Sequence, residues 1–242
     1  MKRRAFIEKT IIGSALLAHS NLMHGMPQQH NAVLQVINAG IGGNNTADLL
    51  ARIEQDCLQQ KPDLVILMAG TNDMNSKKFI PLPDYEKNML QMINMMKKTG
   101  IEIMLMNLLP VYEPYLFTRH ERSFYEPEGH SGRLKQMNQS ISKLAMQHKI
   151  PLVDLYHIFD RVGNIGEAAS SLIRNEANSK ITDGLHPTAD GYRVIGVAVH
   201  AQMVYNQLTK KKKIVCFGDS ITKGDGAEGG ENYPAYLKKL LT

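Results

Sequence analysis

The sequence predicts an α/β domain of three layers, α/β/α, built on a five-stranded parallel sheet. Three observations predict it. Five short apolar runs alternate with segments of helical periodicity from about residue 33 to the end of the 242-residue chain. The run at 64–68, Leu-Val-Ile-Leu-Met, is apolar throughout, as a strand covered on both faces is. The length fits one domain with a substantial core, and no internal repeat divides it.

Residues 33–37 are the first strand, and 46–58 the first helix, with Leu49, Leu50, Ile53 and Cys57 at helical spacing. The run at 64–68 is the second strand. Residues 84–98 read as a helix that stops at Gly100, and 101–106 as a strand closed by Pro110. Residues 132–148 carry Leu134, Met137, Ile141, Leu144 and Ala145 on one helical side. A strand at 150–153, a helix at 189–208, a strand at 214–217 and a helix at 233–241 complete the chain. Two long connections, 111–131 and 155–181, follow strand C-terminal ends, where open α/β sheets bind ligands. In the first, Tyr115, Arg119, His120 and Tyr125 are candidates for substrate contact, although a solvated loop is the simpler reading of each.

Composition narrows the function. Trp is absent and aromatic residues make up 6% of the chain, which leaves no stacking platform for nucleic-acid bases. Lys2, Arg3, Arg4 and Lys9 against Glu8 account for more than half of the net charge of +5. Lys210 to Lys213 form one further run, read as a basic linker. No nucleic-acid partner is expected. Cys57 and Cys216, the only cysteines, have neither metal-ligand spacing nor a disulfide framework and are expected to be buried free thiols.

Residues 1–30 look like an export segment. A basic start with paired arginines, Lys2-Arg3-Arg4-Ala5-Phe6, precedes an apolar stretch at 11–17 that is too short to span a bilayer. The Arg-Arg-x-Phe pattern resembles a bacterial twin-arginine signal. A basic amphipathic helix is the alternative. The expected localisation is periplasmic or secreted, with no stable membrane span. Residues 31–242 are then one domain.

Four segments could carry chemistry. Ser220, in Gly218-Asp219-Ser220-Ile221, follows a buried strand, although Gly-Asp-Ser is also an ordinary turn. Asp183 and His186 stand three residues apart, so that a carboxylate can orient an imidazole that reaches a serine. A capping aspartate beside a surface histidine would give the same spacing. Gly43, in Asn38-Ala39-Gly40-Ile41-Gly42-Gly43-Asn44, and Asn72, in Gly70-Thr71-Asn72-Asp73, end two other strands, where a backbone N–H and a side-chain amide can face a developing oxyanion. A positive-φ turn and an Asx turn are their structural alternatives.

Together these segments resemble the four sequence blocks of the SGNH, or GDSL, hydrolases, and the resemblance extends from residue 31 onward. It implies the flavodoxin-like sheet of that fold, strand order 2-1-3-4-5. It also implies a serine esterase working through an acyl-enzyme, with Ser220 as nucleophile, His186 as base and Asp183 as its orienter. The oxyanion hole would be Ser220, Gly43 and Asn72, and neither a metal nor an organic cofactor is needed. The expected substrate is a small-molecule or polysaccharide ester, with O-acetyl groups on carbohydrate preferred. A lysophospholipase or thioesterase acting on longer acyl chains, and a non-catalytic carbohydrate-binding protein of the same fold, are the alternatives.

One feature departs from the family. Its serine block comes first, whereas here it comes last. The expectation is a circular permutation in which residues 213–242 supply the first strand and helix, with the Ser220 strand lying between those at 33 and 64. A tail that starts a truncated second copy and a tail that completes a neighbouring chain are the two rivals.

Overall fold

A computed structural model describes residues 33–242, which form one compact unit. The export segment expected at 1–30, and Asn31, lie outside the described residues.

Five parallel strands make the sheet: β1 (Gln35–Gly40), β2 (Leu64–Met68), β3 (Glu102–Met106), β4 (Leu152–Val153) and β5 (Lys213–Gly218). Their spatial order is β1-β5-β2-β3-β4. The last strand in sequence is therefore interior, bonded in register to Gln35–Gly40 on one side and Leu64–Met68 on the other. This is the position expected for the Ser220 strand. All of β2 is buried, as is β5 beyond Lys213, which is why both read as unbroken apolar runs.

Helices cover the sheet in two groups. In one, α1 (Thr46–Asp56) packs on α2 (Leu82–Lys98), which packs on α4 (Gly129–His148). In the other, α7 (Ala189–Tyr205) packs on α9 (Tyr233–Leu241). Much of the methionine content lies inside: Met89, Met92 and Met96 of α2 are buried beside Met104 and Met106 of β3. These flexible side chains fill space between helix and sheet where a branched residue would need an exact fit. Cys57 and Cys216 are buried free thiols whose pKa values burial pushes up to about 12, so they are unreactive.

The basic run is a link, as read. Asp63 accepts from the backbone N–H groups of Lys212 and Lys213 at 2.9 and 2.8 Å, which anchors the chain as it enters β5. Elements also start or stop away from their sequence estimates. The helix expected at 84 begins at Leu82, with Pro83 in its first turn, where a missing N–H costs nothing. That expected at 132 begins at Gly129, and that expected to reach 208 stops at Tyr205. The two long connections are not structureless. α3 (Glu113–Leu116) lies in the first, and α5 (Leu155–Val162) and α6 (Glu176–Ser179) in the second.

β1 meets the nucleophile segment very closely. A Cβ on Gly40 would lie 2.1 Å from the Lys223 backbone nitrogen and 2.6 Å from the Thr222 carbonyl carbon. Neither backbone atom can move without displacing the helix α8 (Ser220–Lys223). Gly40→Ala is expected to cost about 3 kcal/mol, the upper part of the range for over-packing. That is a fall of roughly 6–12 °C in Tm for a domain of this size. Urea and thermal unfolding check it; a Tm within about 2 °C of wild type would contradict the contact.

Candidate active site

The site forms along the C-terminal edge of the sheet, where β1, β5 and β2 lie side by side. Ser220 is the first residue of α8, directly after β5. α8 is a four-residue helical turn capped by Asp219, whose carboxylate accepts from the Ile221 N–H at 3.0 Å. Gly224, at φ +96°, ends the turn.

The loop carrying Asp183 and His186 is set by two devices. Thr188 caps α7 by accepting from the Gly191 N–H, which holds the chain just after His186. Ile173 and Pro187 form an antiparallel bridge, with Arg174 N–H donating to the His186 carbonyl at 2.9 Å and Gly184 N–H to the Arg174 carbonyl at 3.0 Å. His186 Nε2 then lies 3.0 Å from Ser220 Oγ, and His186 Nδ1 lies 3.0 Å from each Asp183 carboxylate oxygen. The hydroxyl, imidazole and carboxylate expected to act together are in one hydrogen-bonded line within a single chain.

Asp183 is 4% exposed, and burial by itself would raise its pKa. The His186 ring and the N–H groups of His186 and Leu185 outweigh that and hold the carboxyl at about 2. Asp183 is thus a carboxylate at any pH near neutral. Two other acids behave oppositely. Burial raises Asp219 and Asp73 to about 6.

Asp73 and Asn72 organise the opposite side. Asp73 accepts from the Thr46 N–H at 3.0 Å and from the Thr46 hydroxyl, clamping the Asn72 turn onto the N-terminus of α1. Asn72 Nδ2 donates to the Asn44 carbonyl at 3.0 Å and faces Asp219 Oδ2 at 3.4 Å, a contact too long to hold its second hydrogen strongly. Asn75 donates to Asn72 Oδ1 at 3.2 Å, so the amide nitrogen rather than the oxygen faces Asp219. Gly43 adjoins Asn44 in the turn after β1, with φ +77°. The backbone of this glycine thus adopts the positive φ given as its structural alternative. The backbone N–H groups of Gly43 and Ser220 have no protein acceptor among the described residues.

Sequence reasoning passed over Arg52 and Arg174. Arg52 of α1 donates to the Gly218 carbonyl at 2.8 Å, the Ala39 carbonyl at 3.0 Å and Asn44 Oδ1 at 2.7 Å, and lies over the Phe217 ring. It joins the ends of β1 and β5 to the Gly43 turn. Arg174 faces Asp183. Of the candidates for substrate contact, Tyr125 is 1% exposed and packs against Phe117, Phe124 and His130, so it is a core residue of the 111–131 segment. Arg119 turns to Asp183, and His120 lies 3.4 Å from the Ser76 hydroxyl.

Comparison with known proteins adds to this geometry. A model of the GDSL-like lipase/acylhydrolase family matches residues 13–194, a span that holds Gly43, Asn72, Asp183 and His186 and ends before Ser220. The uncharacterized lipoprotein YqeF of Bacillus subtilis (strain 168) is 28% identical over 175 residues, which are 67% of this chain and 70% of that protein. An acetylxylan esterase of Geobacillus stearothermophilus is 37% identical over 68 residues, 25% of this chain and 31% of that one. The crystal structure of a lipase/acylhydrolase from Enterococcus faecalis shares the fold, with a TM-score of 0.51 at 19% identity over 68% of this chain and 72% of that chain.

Proposed function

We propose that this chain, which belongs to the GDSL-like lipase/acylhydrolase family, is a serine esterase that removes small acyl groups, with O-acetyl groups on carbohydrate as its preferred substrate. The observation that carries the reading is the 3.0 Å approach of His186 Nε2 to Ser220 Oγ, with Asp183 on the other ring nitrogen. Ser220 Oγ attacks the ester carbonyl carbon as its proton passes to His186 Nε2. The tetrahedral intermediate collapses, the alcohol leaves with that proton, and the acyl group remains on Ser220. Water then attacks the acyl-enzyme, His186 again taking and returning the proton, and the carboxylic acid leaves. Asp183 stabilises the imidazolium in both halves. The Ser220 and Gly43 N–H groups and Asn72 Nδ2 receive the oxyanion.

The preference for a small acyl group on a polar alcohol rests on what borders the site. The aromatic rings of the 111–131 segment are taken up by one another: Phe124 packs on Phe79 and Tyr125 and lies over Arg133, and Phe117 packs on Tyr125 and Arg122. Asn75, Ser76, Arg119 and His120 remain along the edge that carries Asn72 and Asp183. The stretch shared with an acetylxylan esterase supports the same preference. A series of p-nitrophenyl acetate, butyrate and octanoate tests it, together with acetate release from acetylated xylan. kcat/KM is expected to fall at least about tenfold from two to eight carbons. A profile that rises with length would favour the longer-chain reading.

Asn72→Ala is expected to lower kcat about 10²- to 10³-fold with little change in KM, the signature of a donor used in the transition state. Steady-state kinetics on p-nitrophenyl acetate decide it. A loss in KM alone would make Asn72 a substrate-binding residue instead.

The late serine block is read as a circular permutation within residues 31–242. The interior position of β5, its parallel pairing on both sides and the short anchored link from α7 support this reading. Export is the proposed localisation, supported by the basic and apolar start of the sequence and by the likeness to a lipoprotein. Among the described residues no helix is long and apolar enough to cross a membrane.

A further inference from the structure

Two cations face Asp183. Arg174 Nη1 lies 3.5 Å from Oδ2, and Arg119 Nη2 lies 3.7 Å from Oδ1 while donating to the Asp183 carbonyl. Each carboxylate oxygen thus has its own arginine, besides the His186 ring. The Asp183 side chain is 5% exposed and that of Arg174 22%, so solvent screens this pair less than the one with Arg119, whose side chain is 39% exposed. At such separations the attraction is mainly that of charge on charge, not a short directed hydrogen bond.

The arginines come from different parts of the chain. Arg174 is paired by its backbone to both ends of the acid–base loop, at Gly184 and His186. Its side chain crosses Gly226, where a Cβ would sit 2.5 Å from its Cδ and Nη1, so it packs against the loop that follows the nucleophile turn. Tyr192, nearby on α7, donates to the Asp225 carbonyl of that loop at 2.9 Å. Arg119 belongs to the 111–131 segment, which is joined to the same loop where Tyr112 N–H donates to the Gly184 carbonyl at 2.8 Å. The Leu185 and His186 N–H groups hold Oδ1 at 3.1 and 3.0 Å, whereas Oδ2 is held, besides the His186 ring, by Arg174. With an arginine on each oxygen, turning it separates opposite charges on both sides.

We infer that Arg174, assisted by Arg119, is a positioning residue that holds the Asp183 carboxylate square to His186 and ties it to the segments on both sides of the cleft. The inference builds on the serine-esterase reading, but its test does not depend on turnover alone. The groups facing the carboxyl are His186 and the Leu185 and His186 amides from its own loop, Arg174 from the bridge, Arg119 from the 111–131 segment and Tyr192 from α7.

The experiment compares Arg174→Gln and Arg174→Lys in the wild-type and Asp183→Asn backgrounds, all confirmed folded by circular dichroism. Arg174→Gln is expected to lower kcat about tenfold with KM nearly unchanged, and Arg174→Lys to recover most of it. In Asp183→Asn, Arg174→Gln should have less than about a twofold effect, because no charge is left to hold. Equal losses in both backgrounds, or equal losses for Gln and Lys, would overturn the inference. Titration of the Asp183 carboxyl by ¹³C NMR reads the same contact without catalysis. Its midpoint should rise in Arg174→Gln and stay in place in Arg174→Lys; an unmoved midpoint in Arg174→Gln overturns the inference even if the enzyme is active. Absence of Ser220-dependent turnover together with a shifted midpoint would sink the esterase reading and leave the positioning contact standing.

Discussion

Ser220→Ala is expected to lower kcat/KM on p-nitrophenyl acetate by roughly 10⁴- to 10⁶-fold, the range seen when the nucleophile of a triad is removed. The reason is geometric. His186 Nε2 has one hydroxyl within reach, that of Ser220, and the substitution leaves the base with nothing to deprotonate but water. What remains is whatever the oxyanion donors and binding provide. The fold should be indifferent to the change. Ser220 is the first residue of α8, the cap is made by Asp219, and alanine is at ease in a helical turn. A Tm within a few degrees of wild type, joined to lost activity and lost labelling by an organophosphonate probe, is the full expected result. A variant that keeps a tenth of wild-type activity would rule out Ser220 as the nucleophile.

Asp183→Asn is expected to lower kcat about 10³- to 10⁴-fold. The amide can offer an N–H to His186 Nδ1, which selects the tautomer with the proton on Nε2, and that nitrogen can then no longer accept from Ser220. The same variant carries a stability signature. The Asp183 carboxyl is held at about 2 in the folded protein against 3.8 without its partners. A depressed carboxylate pKa favours the folded state above the unfolded value, and this contribution is lost as pH falls from about 4 through 2. It amounts to about 2 kcal/mol. Wild type should therefore lose that stability over this window, and Asp183→Asn should lack this part of the slope while being less stable at pH 7. Urea unfolding at a series of pH values separates the two. Identical slopes would mean that the carboxylate is not held as the geometry indicates.

The interior strands were legible because they are buried on both faces. Residues 64–68 are apolar without interruption, and the structure has a strand over the same five residues. The helix at 233–241 also agrees to the residue, with Asn232 capping it and Pro234 in its first turn. Residues 155–162 were passed over although Leu155, Ile158, Phe159 and Val162 have helical spacing and Asp154 caps them. Eight residues span little more than two turns, too few for periodicity to stand out among the polar residues that follow. The candidate site was legible at Ser220, Asp183, His186, Gly43 and Asn72 because each lies in a short block that resembles one of the family's. Arg52 and Arg174 have no such signal. Their partners Gly218 and Asp183 are 166 and 9 residues away, and nothing beside either arginine in sequence announces the contact.

The sequence by itself determined the strand and helix alphabet, the residue types that could attack, accept a proton and bind an oxyanion, and the unusual order in which they occur. Spacing alone does not single out Asp183 and His186; the resemblance of their block does. Asp154 and His157 repeat the spacing, and their side chains meet at 2.6 Å, but the His157 side chain is 67% exposed and packs edge-on against Tyr156, with no serine hydroxyl bonded to it among the described residues. Only the tertiary structure brings Ser220 within reach of His186, by inserting β5 between β1 and β2. The physical reason lies in the range of the forces. Turns, caps and helical periodicity are decided by neighbours a few residues apart. The seating of β5 is decided by burial and strand pairing between segments some 150 to 180 residues apart along the chain, and these have a common meaning only once the core has closed around them.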